Sequence, residues 1–155
     1  MKFLLAPLLI LASGLPPAAA QQPAARDGAA PPSHPEEVAW MDEGERGYLY
    51  RRFPGGQRLY FTDRDRLGVS TCYDGCAAAW PPVPAPADAR PVGPWTVIVR
   101  KDGTRQWALR GRPVYTRFHD APDNPIGDGY EGVWHVLPYI ARARVAACVA
   151  APGTC

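Results

Sequence analysis

Residues 95–110 read Trp95-Thr96-Val97-Ile98-Val99-Arg100, Lys101-Asp102-Gly103-Thr104, Arg105-Gln106-Trp107-Ala108-Leu109-Arg110. Two runs rich in β-branched and aromatic residues flank an Asp-Gly pair, which is a strong local signal for an antiparallel hairpin. Gly111-Arg112-Pro113 then turns the chain into Val114-Tyr115-Thr116-Arg117-Phe118, so this half reads as a meander. Trp95, Val97 and Val99 alternate onto one strand face, as do Trp107 and Leu109, which places them in a core. The fold class expected from this stretch is all-β, mainly antiparallel.

The same grammar appears upstream. Tyr48-Leu49-Tyr50-Arg51-Arg52-Phe53, the turn Pro54-Gly55-Gly56-Gln57 and Arg58-Leu59-Tyr60-Phe61-Thr62 have the composition and spacing of a hairpin, ended by Asp63 and Asp65. A shift of 55 residues sets Gly56 on Gly111, Leu59 on Val114, Tyr60 on Tyr115 and Asp65 on Asp120. The chain therefore reads as two related hairpin units. Between them, Pro81 to Pro94 holds six prolines, too many for a ladder strand, and forms a loop or extended crossing. A last strand, Gly132 to Leu137, is stopped by Pro138, and Tyr139 to Ala151 has the pattern of one short amphipathic helix.

With 19 Pro and 15 Gly in 155 residues the chain is no helical bundle or coiled coil, while 46% hydrophobic and 21% charged residues suffice to fill a core. The net charge of +2 comes from 17 basic and 15 acidic residues with signs interleaved. Total charge thus makes no case for nucleic acid or for an acidic membrane surface.

Lys2, the apolar stretch Phe3 to Leu15 and Ala18-Ala19-Ala20 read as a secretory signal peptide over 1–20, cleaved after about Ala20. No lipobox cysteine follows it, and no later segment is long and apolar enough to be a transmembrane span. A periplasmic or secreted location is expected. Residues 21–44, rich in Pro and Ala, read as a flexible leader carrying a solvated His34.

Export sets the meaning of Cys72, Cys76, Cys148 and Cys155, since four cysteines in a small exported domain favour two disulfides. Local pairs would close loops worth only about 2 to 2.5 kcal/mol each, against about 4.5 for cross-pairing. Proximity nevertheless favours Cys72 with Cys76, because residues four apart approach within disulfide range over one helical turn. Cys148 with Cys155 follows as a clasp on the C-terminus.

Ser70-Thr71-Cys72-Tyr73-Asp74-Gly75-Cys76-Ala77-Ala78-Ala79-Trp80-Pro81-Pro82, Lys101-Asp102-Gly103-Thr104, Gly111-Arg112-Pro113-Val114-Tyr115, Gly127-Asp128-Gly129 and Gly132-Val133-Trp134-His135-Val136 occur in this order. Together they resemble the bacterial secreted-repeat family, exported proteins and predicted lipoproteins with a YxFxxD-type motif, over residues 45–138. The resemblance implies two units, about 45–82 and 95–138, with 139–155 as a tail, and marks Tyr60, Asp65, Trp80, Tyr115, Asp120 and Trp134 as motif residues. It implies no assigned activity. The family's aromatic two positions after each repeat Tyr is replaced here by Thr62 and Arg117, with Phe61 and Phe118 shifted by one.

Cys72 and Cys76 as thiolates with His119 or His135 would suit copper or a redox dithiol, but a structural disulfide is the expectation. His135, between Trp134 and Val136, reads as a packed histidine. Tyr60 with Asp65 and Tyr115 with Asp120 read either as functional pairs or as packed rings with turn-forming carboxylates. Asp120, Asp123, Asn124 and Asp128 have the oxygens for calcium but not the EF-hand order. No nucleophile elbow, phosphate loop or His-Glu-x-x-His is present. The expected role is a non-enzymatic envelope module that needs no cofactor and binds an envelope protein or small ligand. The alternative is a periplasmic redox or copper protein.

Overall fold

The structure, a computed structural model, describes residues 33–141. The signal peptide, the Cys148/Cys155 pair and all but the start of the expected C-terminal helix lie outside the described residues. Within them the chain forms β1 (Val38–Asp42), β2 (Tyr48–Arg52), β3 (Tyr60–Thr62), α1 (Gly75–Ala79), β4 (Trp95–Val99), β5 (Arg105–Leu109), β6 (Arg112–Pro113) and β7 (Trp134–Val136). All strand pairs are antiparallel and α1 is one turn long, so the all-β reading holds.

The Asp-Gly hairpin is formed as expected. Trp95 faces Leu109 and Val99 faces Arg105, and Arg100 N–H donates to the Thr104 carbonyl at 2.9 Å across the turn. β6 continues the meander through Ala108 opposite Pro113. Face alternation is less regular than the sequence pattern. Trp95 and Ile98 are buried while Val99 is 72% exposed, because β4 runs past the core edge and Arg100 turns inward instead.

The upstream half differs from its expected hairpin. β2 pairs with β1, from Val38 opposite Arg52 to Asp42 opposite Tyr48. A strand thus occupies the end of the span read as leader. Its short run Val-Ala-Trp-Met has too little contrast with the Pro/Ala composition before it to stand out as a strand. β2 and β3 meet only at the bridge of Arg51 with Arg58, after which β3 leaves to pair with β7. Leu59 and Tyr60 become completely buried by crossing to the second unit, a gain that local pairing with β2 does not offer. The strands therefore form three small sheets, β1-β2, β3-β7 and the meander β4-β5-β6, and the β3-β7 sheet joins the upstream half to the downstream one.

Two clusters make the core. Val38, Tyr50, Leu59, Val83, Ala85, Trp95, Trp107, Val114 and Leu137 form the larger. Tyr60, Cys72, Trp80, Tyr115 and Trp134 form the second, on the seam between the units.

Candidate functional site

The seam is built around a self-complementary exchange. Tyr60 N–H donates to the Tyr115 carbonyl at 2.8 Å and Tyr115 N–H to the Tyr60 carbonyl at 2.9 Å, so the two repeat tyrosines stand opposite each other. An approximate two-fold relation radiates from this pair. Leu137 N–H donates to the Leu59 carbonyl (2.7 Å) as Val83 N–H does to that of Val114 (2.9 Å). Trp80 and Trp134 stack on each other with centroids 3.7 Å apart, and each meets one tyrosine edge-on, Tyr60 and Tyr115 respectively.

The Tyr and Asp residues of the repeat pair crosswise. The Tyr60 hydroxyl donates to Asp120 Oδ2 at 2.5 Å, and the Tyr115 hydroxyl to Asp65 Oδ2 at 2.7 Å. The other oxygen of each carboxylate closes its own turn: Asp65 Oδ1 accepts from Thr71 N–H at 2.7 Å, and Asp120 Oδ1 from Ile126 N–H at 2.8 Å. Each carboxylate thus serves as a turn former toward its own repeat and as a tyrosine acceptor toward the other. The same-repeat pairs suggested by sequence, Tyr60 with Asp65 and Tyr115 with Asp120, are replaced by this exchange, because a phenol at the centre of the seam reaches across it. Burial first, and then the facing carboxylate, pushes both phenols well above the ordinary tyrosine range.

A polar network extends from one side of the seam. Ser70 Oγ lies 2.8 Å from the Tyr115 hydroxyl and accepts from Arg100 at 2.9 Å. The buried Arg100 guanidinium also donates to Gln106 Oε1 at 2.7 Å and to the Cys72 carbonyl at 2.6 Å, and lies over the Tyr73 ring. Gln106 Nε2 completes the network on the Val114 carbonyl. Ser70, Arg100 and Gln106 did not emerge from the sequence as site residues; a charged residue directly following the apolar run 95–99 is the one signal that could have pointed to Arg100.

Cys72 and Cys76 form a disulfide, with Cα atoms 5.2 Å apart, which pins α1 below Trp80. His135 Nε2 is 2.7 Å from Asp63 Oδ2, and the ring is partly exposed against Phe61 rather than packed in the core. His119 is exposed and rests on Phe118. Among the described residues no group of three or more His, Cys, Asp or Glu side chains is placed to hold a metal ion. In the loop considered for calcium, Asp120 is committed to Tyr60 and Ile126, and Asp128 Oδ1 accepts from Val136 N–H. None of the described helices is long and apolar enough to cross a membrane.

Residues 96–137, nearly the whole of the second unit, match the model of a family described as a secreted repeat of unknown function. This is the family that the sequence motifs resemble, and the match covers the stretch from β4 to the end of β7. No curated protein and no solved structure matches the chain.

Proposed function

We propose that the protein is an exported, non-enzymatic module of the cell envelope, in which two clasped repeats form a rigid body that presents its surface turns to a binding partner. The observation that carries this reading is the crossed Tyr–Asp clasp. Both phenol protons and both oxygens of Asp65 and Asp120 are engaged, one oxygen of each carboxylate across the seam and the other in its own turn. Groups held this way specify a structure and leave little for a substrate. The secreted-repeat match supports export; cleavage after about Ala20 and release as a soluble chain belong to the same proposal and rest on the sequence of residues 1–20.

Copper binding needs Cys72 and Cys76 as thiolates, whereas here they are joined in a disulfide; a redox dithiol would cycle through that same disulfide, so its reducibility is what separates the readings. The test is to purify the exported protein from the periplasm, count free thiols before and after denaturation, and titrate Cu(I). The expected result is no free thiol and no stoichiometric copper. A reversible dithiol whose copper affinity disappears in Cys72→Ser would overturn the proposal.

A further inference from the structure

Arginines gather where the chain turns from β1 into β2. Glu43 N–H donates to the Gly47 carbonyl at 2.8 Å to close the turn, and Tyr48 and Ile140 exchange both backbone bonds, at 2.9 and 2.7 Å, so the segment after β7 lies against it. A Cβ on Gly47 would collide with the Ile140 carbonyl. Tyr139 is thereby seated beside Arg46 of the turn and beside Arg58, which bridges to Arg51 of β2.

The charges at this place do not balance. Glu43 Oε1 accepts from Arg51 at 2.7 Å, and Arg51 is further satisfied by the Gly56 and Pro122 carbonyls at 3.2 and 2.9 Å. Arg58 is left with the same Glu43 oxygen at 3.8 Å and the Tyr139 hydroxyl at 3.5 Å. Yet its side chain is only 13% exposed, and its Nε has no partner among the described residues. Arg46 is exposed and acts on the same hydroxyl, and among the described residues the carboxylate that acts on it is again Glu43. The other acids of the turn do not fill the gap, since Asp42 Oδ1 accepts from Gly44 N–H and Glu45 is exposed. Arg46, Arg51 and Arg58 thus share Glu43, which leaves two positive charges unmatched. Hydrogen bonds from Arg58 and Arg46 hold the Tyr139 phenol below the ordinary tyrosine range. Because its oxygen accepts from both, its proton is left to donate outward.

The repeat does not require this arrangement. A shift of 55 residues sets Arg58 on Pro113, so the second unit builds the corresponding strand with a buried proline and no guanidinium. A cation withdrawn from water with only distant partners lowers stability until an anion pairs with it.

We infer that Arg46, Arg58 and Tyr139 form a binding site for a phosphate group, free or carried as a monoester. Two guanidiniums and a phenol proton supply donors that phosphate oxygens accept in short, charge-assisted bonds. The phosphate charge, about −1.5 to −2 at neutral pH, matches the unmatched pair, where a lone carboxylate would leave half of it unmet. The inference rests on the proposed binding role and names the chemistry of the ligand.

The test is isothermal titration of the periplasm-purified protein at neutral pH with inorganic phosphate and with glycerol phosphate, against sodium chloride at equal ionic strength. Saturable binding of phosphate, absent with chloride, is expected. Tighter binding of glycerol phosphate would support an ester as the source of the group, and equal or weaker binding the free ion. Arg46→Gln and Tyr139→Phe should each weaken binding about tenfold, the size of one hydrogen bond to a charged group, while Lys101→Gln, which removes an exposed cation from the other hairpin turn, should not. Near-UV circular dichroism of the Trp80–Trp134 stack serves as the folding control. No saturable binding, heat that chloride reproduces, or wild-type affinity in the folded Arg46→Gln and Tyr139→Phe variants would overturn the inference. Such a result leaves the thiol and copper outcome, and with it the proposed function, unaffected.

Discussion

Tyr60 and Asp120 are separated by 60 positions in the chain, yet the phenol donates to the carboxylate at 2.5 Å, while Tyr115 makes the equivalent bond to Asp65 in the opposite direction. The duplicated motif therefore acts between its copies. Each unit is too small to enclose Tyr60 or Tyr115 by itself, and both are completely buried in the joined pair.

Both phenols are raised, chiefly by burial, so the folded state favours their neutral form. A raised group contributes stability in full below its unfolded value, about 10 for tyrosine, and loses it as pH climbs from there toward the folded value. Denaturant unfolding should give a flat stability across pH 7 to 9 and a steep decline above about 10. Tyr60→Phe/Tyr115→Phe should flatten that decline while lowering stability at neutral pH. Absorbance at 295 nm should show these two phenols ionising only as the protein unfolds.

Gly127 lies at the seam without a positive φ, and its role is spatial. A Cβ there would stand 2.8 Å from Trp80 Cη2 and 2.9 Å from Tyr60 Cε1. Gly127→Ala should cost about 1–3 kcal/mol through overpacking, measured by chemical denaturation. The near-UV signal of the tryptophan stack should weaken in parallel.

Arg100 satisfies Ser70, Gln106 and the Cys72 carbonyl at once. Arg100→Met keeps the volume of the stem but leaves those acceptors buried and unpaired, so a loss of about 3 kcal/mol is expected. Arg100→Lys should rescue little, since an ammonium lacks the planar fork that reaches three partners.

Elements with a local signature were legible in the sequence. The β4–β5 hairpin announced itself through Asp102-Gly103, and Cys72 with Cys76 through their spacing. The repeat Tyr and Asp positions were also visible, but their partners were not, because same-repeat and crossed pairing predict the same residues. β1 was hidden by the Pro/Ala composition before it, and β3 was assigned to the wrong neighbour. Its true partner, β7, lies more than seventy residues downstream, so no turn chemistry ties the two. His135 was misplaced for the same reason, its partner Asp63 being 72 positions away.

The crossed clasp is tested most directly by double-mutant cycles on unfolding free energy, using Tyr→Phe and Asp→Ala at positions 60, 65, 115 and 120. Coupling of about 1.5 kcal/mol or more is expected for Tyr60 with Asp120 and for Tyr115 with Asp65, with little for the same-repeat pairs. Coupling concentrated in Tyr60 with Asp65 and Tyr115 with Asp120 would contradict the account.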